Sequence, residues 1–376
     1  MPGDETGVSV NYAGLADDLK VGDRVLVNNG LLALDVQQIA GKEVRCVVAV
    51  GGELSDRKSM SFPGKVLNQV YLSEQDKADL LFGIENGVDY VACSFVSRRQ
   101  DLVDVREFLD ANGGSHISLI AKLENQSGID NVEEICEACE GIMIGRGDMG
   151  VEIPYEQLPA VQKKLITKCR LIGKRVITAT EMLESMIEKP RPTRAEISDV
   201  ANAVYDGTSV LMLSGETAAG KYPVEAVQAM ARIAEQTEAN IDYVKRFHQS
   251  SFEIKNDIDA LSHAAAALAI DVNAQLIVVC SRTGKTARMV SRFRAPKWIL
   301  GMTTSEKQWR KLGMSWSVLP VLCSEEFQST DVLFYHAMTE AKLSGMAKPG
   351  DRIVITGGVT NGRSGNTSLI KLETLR

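Results

Sequence analysis

Apolar and polar positions change their rhythm twice along this chain of 376 residues. Up to residue 63 the apolar stretches are short and rich in β-branched residues, at 8–12, 24–27, 32–36 and 44–50. Asn29-Gly30 and Gly51-Gly52 stand between them as turn signals. This pattern predicts a small β-barrel or sandwich. After Pro63-Gly64, near-continuous apolar runs alternate with segments of helical period. Strands are expected at 90–96, 117–122, 141–145, 175–180 and 209–214, and helices at 74–86, 101–111, 131–139, 156–172, 194–205 and 223–243. Strands that are apolar on both faces belong to parallel sheets covered on both sides. This block therefore predicts βα units of a TIM barrel or an open parallel sheet. From about residue 257 a smaller α/β pattern follows, with strands at 276–280, 298–302, 318–321 and 352–356 and helices at 259–271, 283–293, 307–312 and 329–344. It ends in a glycine-rich stretch over 356–365.

Composition narrows the function classes. With 44% hydrophobic and 24% charged residues the chain can build real cores, and its length suggests two or three domains. A net charge of −7 argues against a generic nucleic-acid binder. No run approaches the roughly 20 apolar residues of a membrane span, and residues 1–6 lack the apolar segment of a signal peptide. The seven cysteines are scattered, which fits a reducing, cytoplasmic setting. Only Cys136-Glu-Ala-Cys139 is closely spaced, and without a second pair it reads as structural thiols on a helix rather than a metal or redox site.

The candidate chemistry sits where apolar runs end in charge. Ile120-Ala-Lys-Leu-Glu-Asn125 presents Lys122 and Glu124, and Gly141-Ile-Met-Ile-Gly-Arg-Gly-Asp148 presents Asp148. A lysine neutralises an oxyanion as a point charge, and carboxylates supply the oxygen ligands that Mg²⁺ prefers. These residues point to phosphate or enolate chemistry without naming it.

Larger signatures do name a family. Ala121-Lys-Leu-Glu-Asn-Gln-Ser-Gly128, Arg146-Gly-Asp-Met-Gly-Val-Glu-Ile-Pro154, Thr178-Ala-Thr-Glu-Met-Leu-Glu-Ser-Met186, Arg191-Pro-Thr-Arg-Ala-Glu-Ile-Ser-Asp-Val-Ala-Asn202 and Met212-Leu-Ser-Gly-Glu-Thr-Ala218 follow one another in an order that closely resembles the pyruvate kinases. The resemblance covers essentially the whole chain. It implies a β-barrel lid over 1–66, part of a catalytic TIM (β/α)8 barrel over 67–240, and an α/β regulatory domain over 241–376. Because family members insert the lid after the third barrel strand, the first three strand units have no counterpart here, and 67–240 is shorter than the roughly 250 residues of a typical barrel. An incomplete barrel is the expectation, with low activity and exposed sheet edges for this exact chain.

By the same resemblance, phosphoenolpyruvate and ADP are converted to pyruvate and ATP. Glu124 and Asp148 bind Mg²⁺ or Mn²⁺, Lys122 stabilises the phosphoryl oxygens and the enolate, and Gly147 with Asp148 holds the substrate carboxylate. Thr180 and Ser214 belong to the proton relay, Ser94 contacts phosphate, and Lys58 of the lid reaches the nucleotide phosphates. The potassium ligands of the family belong to the units without a counterpart. Three departures stand out: Gly145 replaces an alanine, Glu181 a glutamine, and Asn28-Asn29 a pair of aspartates. The glycine is read as added freedom without functional cost. The stretch Ser281, Arg282, Thr283, Gly284, Lys285 and Thr286, with Arg363, resembles the effector loop of sugar-phosphate-regulated members, fructose bisphosphate being the leading ligand. The alternative is a helix cap with exposed cations. Family members are generally homotetramers. Competing functions are a phosphoenolpyruvate or sugar-phosphate binding protein without transfer activity, and a Mg²⁺-dependent enolate or aldolase-type barrel enzyme.

Overall fold

The computed structural model describes residues 3–4, 6–65, 67–325, 329–358 and 367–376. The chain forms two compact units, one of Met1–Cys139 with Met143–Gln162, the other of Glu140–Ile142 with Lys163–Arg376.

In the first unit, strands β1 (Arg24–Val27), β2 (Leu32–Ala40), β3 (Glu43–Val50) and β4 (Met60–Ser61) form one antiparallel sheet in the order β3-β2-β1-β4. Leu19, Val25, Val27, Leu32, Val36 and Phe62 form its core. The β1–β2 turn runs through Asn28 and Asn29 at φ 55° and Gly30 at φ 80°. Asparagine is among the few residues with a side chain that visit this region readily, so the Asn-Asn-Gly run suits a left-handed turn. The expected strand at 8–12 does not form, and Val8 is exposed. Upstream of it the carboxylate of Asp4 accepts hydrogen bonds from the N–H groups of Thr6 and Gly7, folding that segment into a turn.

Strands β5 (Tyr90–Cys93) and β6 (Ser118–Leu123) pair in parallel, Tyr90 opposite Ser118 and Cys93 opposite Ala121. The preceding helix, Glu74–Glu85, opens on a reciprocal capping box between Ser73 and Asp76. β5 stops short of the expected residue 96 because Phe95 takes φ 52°. The helix expected over 131–139 forms at Val132–Glu137, and an unexpected short helix, Gln126–Asp130, capped by the Asn125 side chain, precedes it. Cys136 and Cys139 are buried and free. Strand β7 (Gly141–Gly145) is buried at all five positions. It leads into a helix, Arg146–Glu152, that is not among the expected ones.

In the second unit, β8 (Arg175–Ala179) and β9 (Val210–Leu211) pair in parallel, Ile177 opposite Val210. β9 is two residues long, much shorter than 209–214. Helix Arg194–Asp206 begins at a Thr193–Glu196 capping box and ends at Gly207, whose φ of 96° fits a left-handed stop. The long helix expected to residue 243 ends at Glu238, and Asp242 caps a new one, Tyr243–Gln249.

The carboxyl-terminal sheet holds β10 (Leu276–Cys280), β11 (Trp298–Thr303), β12 (Val318–Leu322), β13 (Arg352–Gly357) and β14 (Leu369–Thr374) in the order β12-β11-β10-β13-β14. All pairings are parallel except that of β13 with β14. Ile277 and Val279 pack into one core and Leu276 and Val278 into another, as alternate positions of a doubly covered strand must. The antiparallel β14, in the alternating Leu-Ile-Lys-Leu-Glu-Thr, was not anticipated from the sequence. Among the described residues no helix is long and apolar enough to cross a membrane.

Candidate active site

In the first unit the polar groups gather at the carboxyl ends of β5 and β6. Glu124 follows β6 and is 1% exposed. Its Oε1 lies 2.8 Å from Lys122 Nζ, and its Oε2 accepts the Phe95 N–H at 2.8 Å. Lys122 also donates to Ser94 Oγ at 3.1 Å, and the Ser94 carbonyl accepts the Tyr71 hydroxyl at 2.7 Å. The positive φ of Phe95 thus comes with a specific task, aiming a backbone donor at a buried carboxylate.

Burial pushes the Glu124 carboxyl above its usual range; Lys122 and the Phe95 N–H oppose this, and the charge of Asp148 adds to it. Asp148 lies in the first turn of helix Arg146–Glu152, where backbone N–H groups have no helical partner. A buried carboxylate raised by a like-charged neighbour is a donor set that a hard divalent cation neutralises, and two carboxylates with substrate oxygens suit Mg²⁺. Among the described residues no group of three or more His, Cys, Asp or Glu side chains forms a metal cluster, so the candidate set is this pair. At the other end of the same helix, Glu152 is also raised by burial, opposed by hydrogen bonds from the Phe62 backbone and the Ser61 side chain.

Two glycines make the arrangement possible. A Cβ on Gly145 would lie 2.6 Å from Glu124 Oε1 and 2.7 Å from its Cγ, so the carboxylate occupies space that a methyl group would need. The reading of Gly145 as added freedom thus gains a packing consequence: an alanine here would require the Glu124 side chain to shift. A Cβ on Gly128 would lie 2.4 Å from the Val96 carbonyl oxygen. Asn125, which precedes it, accepts the Gly128 N–H at 2.8 Å and donates to Ser97 Oγ at 2.9 Å. Arg146 is buried and donates to Gln162 Oε1 at 3.4 Å, an internal strut. Lys58 sits on the exposed stretch before β4, next to Ser59, whose hydroxyl donates to Asn29 Oδ1 at 3.0 Å.

In the second unit Thr180 follows β8 at φ 68° and its hydroxyl donates to the Ala179 carbonyl at 2.6 Å; Glu181 follows at φ 52°. Ser214, half-buried, precedes the short helix Gly215–Ala218. Glu216 is fully buried and was not singled out from the sequence, though it lies within one of the quoted motifs. Its two oxygens accept the N–H groups of Leu183 at 3.0 Å and Ser214 at 2.7 Å, tying the segment after Thr180 to Ser214. The stretch 281–286 follows β10. Gly284 at φ 68° turns the chain into helix Lys285–Arg292, Arg282 and Thr283 are exposed, and the Thr286 hydroxyl shares a hydrogen bond of 2.6 Å with Thr367. Arg363 lies outside the described residues.

Residues 1–227 match the family model described as pyruvate kinase, barrel domain, and residues 259–373 the one described as pyruvate kinase, alpha/beta domain. The class so defined is a kinase, a phosphotransferase built on a barrel with a separate α/β domain. The pyruvate kinase of Clostridium acetobutylicum is 43% identical over 372 residues, which are 99% of this chain and 78% of that protein. That of Geobacillus stearothermophilus is 44% identical over 98% of this chain and 63% of its own length, and that of Clostridium perfringens 41% identical over 99% and 79%. This chain belongs to the pyruvate kinase family. It spans 63% to 79% of the length of these three relatives.

Proposed function

We propose that this chain carries the chemistry of a pyruvate kinase, passing the phosphoryl group of phosphoenolpyruvate to ADP and protonating the resulting enolate to pyruvate. The observation that supports this most is the Lys122 ammonium held 2.8 Å from the buried Glu124 carboxylate, with Asp148 as the neighbouring charge. Lys122 neutralises oxyanion charge where it develops, which is usually the largest catalytic contribution. The N–H groups at Gly147 and Asp148 bind the substrate carboxylate, and Ser94 contacts the phosphoryl group. Glu124 and Asp148 would hold Mg²⁺ or Mn²⁺, which would supply positive charge to offset that of the substrate oxygens. Thr180 and Ser214 order the water that delivers a proton to the enolate carbon, since neither hydroxyl is itself a strong acid at neutral pH. Lys58, in the lid (1–66), meets the nucleotide phosphates, and residues 67–240 supply the barrel portion.

Residues 281–286, in the regulatory domain (241–376), are the effector stretch for a sugar bisphosphate, fructose bisphosphate first. The working form is a cytoplasmic homotetramer. The test is pyruvate formation by the purified chain, coupled to NADH oxidation, with and without Mn²⁺, K⁺ and fructose bisphosphate. Pyruvate that depends on phosphoenolpyruvate, ADP and metal is expected. Binding of phosphoenolpyruvate and Mn²⁺ without any turnover would instead favour a binding role, and turnover independent of divalent metal would overturn the assignment of Glu124 and Asp148.

A further inference from the structure

Six cationic side chains, Arg170, Lys174, Arg175, Arg288, Arg292 and Arg294, line a single half-open recess of about 10 Å³ within the second unit. They arrive from the end of helix Leu158–Leu171, the turn into β8, and the end of helix Lys285–Arg292. Arg170, Arg175, Arg292 and Arg294 are each more than nine-tenths buried. Among the described lining residues there is no carboxylate; the remaining polar side chains are the hydroxyls of Ser209, Ser291 and Ser315 and the indole of Trp316.

Two carboxylates stand near the recess without lining it: Asp259 beside Arg292, and Glu238, which accepts the Trp316 indole N–H at 2.8 Å and whose charge acts on Arg294. Arg292 has Asp259 at 3.6 Å. Arg175 donates to Ser315 Oγ and the Lys311 carbonyl, both at 3.2 Å. Arg294 donates to the Gly207 carbonyl at 3.0 Å and Ser209 Oγ at 3.2 Å, with its guanidinium 4.9 Å from the Trp316 ring centre. Carbonyls and hydroxyls satisfy protons but do not cancel charge. Nε and Nη1 of Arg170, and Nε of Arg292 and of Arg294, are buried without a hydrogen-bond partner. Burial, with Arg246 adding repulsion, lowers the Arg170 guanidinium to about 10; burial, with Arg170 adding repulsion, lowers Arg294 to about 9. Glu238 and Tyr243 oppose the lowering at Arg294. Both guanidiniums remain cationic at neutral pH, and partly compensated buried charge is costly for a fold to carry.

We propose that this recess binds one small inorganic anion, held chiefly by Arg170 and Arg294 with the serine hydroxyls beside them. The enclosed space, about 10 Å³, is that of roughly one water molecule, so a nucleotide or sugar phosphate does not fit inside and a monatomic anion fits best. The recess is separate from residues 281–286, which open the helix whose last residue, Arg292, lines it. It also lies at the start of β8, the strand that ends next to Thr180. An anion here joins the carboxyl-terminal domain to the strand that leads to the proposed proton relay, and its occupancy sets the stability of that joint.

The test is thermal unfolding of the purified chain at constant ionic strength, with gluconate replaced stepwise by chloride, phosphate or sulfate, alongside ³⁵Cl NMR linewidths. The midpoint should rise with at least one inorganic anion, following the logarithmic dependence of site binding. The anion that raises it most identifies halide or oxyanion as the ligand, and phosphate should narrow any excess chloride linewidth. Arg170→Met should weaken the anion effect about tenfold or more, the value of a charge-assisted hydrogen bond, and should unfold at a higher temperature than wild type in gluconate because one repelling charge is gone. Lys174→Gln, at the half-exposed turn, should weaken the effect in the same direction and covers the case in which Arg170→Met fails to fold. Equal midpoints in all four anions with no excess linewidth would overturn the proposal. So would an anion effect abolished by fructose bisphosphate yet unchanged in both variants, which would assign it to residues 281–286.

Discussion

Replacing Lys122 by Met tests the candidate site through both stability and chemistry. The ammonium lies 2.8 Å from Glu124 Oε1, with the lysine side chain 24% exposed and the glutamate 1%. Removing one member of a buried ion pair costs about 3–5 kcal/mol, because the other charge stays buried without its partner. The partial exposure of Lys122 and the remaining Phe95 N–H bond bring the expected loss below that range, to about 2–3 kcal/mol at pH 7. The loss is pH-dependent, with a definite sign. The folded-state pKa of Glu124 is raised above the ordinary value of 4.5, so the folded chain holds this proton more tightly than the unfolded chain. Its contribution is therefore most favourable below pH 4.5 and declines as pH rises toward the folded value. Without Lys122 that value climbs further, so mutant and wild type should differ little in acid and most at neutral pH. Phosphoryl transfer should fall about 10²-fold or more, the usual cost of removing one electrostatic stabiliser. Mn²⁺ binding should persist, since Glu124 and Asp148 remain. Urea unfolding at pH 4.5 and pH 7, Mn²⁺ titration by electron paramagnetic resonance, and the coupled pyruvate assay measure these quantities. Equal turnover would remove Lys122 from catalysis, and a stability loss independent of pH would refute the ion-pair argument.

Two further substitutions probe the supports of the site. Gly145→Ala places a methyl 2.6 Å from Glu124 Oε1, about 0.8 Å inside the 3.4 Å at which ordinary contact begins, and should cost about 1–3 kcal/mol by overpacking. An unchanged urea midpoint would show that Glu124 does not need that space. Glu216→Ala leaves the Leu183 and Ser214 N–H groups without their acceptor and should destabilise by about 2–4 kcal/mol. A loss below about 1 kcal/mol in the same measurement would mean that water replaces the carboxylate at little cost.

What the sequence determined by itself was whatever local pattern or linear order carries. Fully apolar runs such as Leu276–Cys280 and Gly141–Gly145 were legible as buried strands because a parallel strand must be apolar on both faces. The helices expected at 74–86 and 194–205 were legible from their period, and the structure adds the capping boxes at Ser73 and Thr193 that open them. The ordered signatures sufficed to name the family. Short and interrupted elements were less legible: the alternation at 8–12 found no strand to pair with, and β9 kept two residues of six. Tertiary structure alone decided matters that depend on contacts distant in sequence. Glu124 fills the space left by Gly145, Glu216 reaches back 33 residues to Leu183, and Arg175 meets Ser315 across 140 residues. Nothing in the neighbourhood of Arg170 along the chain announces that Arg292 and Arg294 will share its recess. A local pattern records which face of an element avoids water; which charges are buried together is set only when the elements pack, because that depends on long-range approach and on the solvent each approach removes.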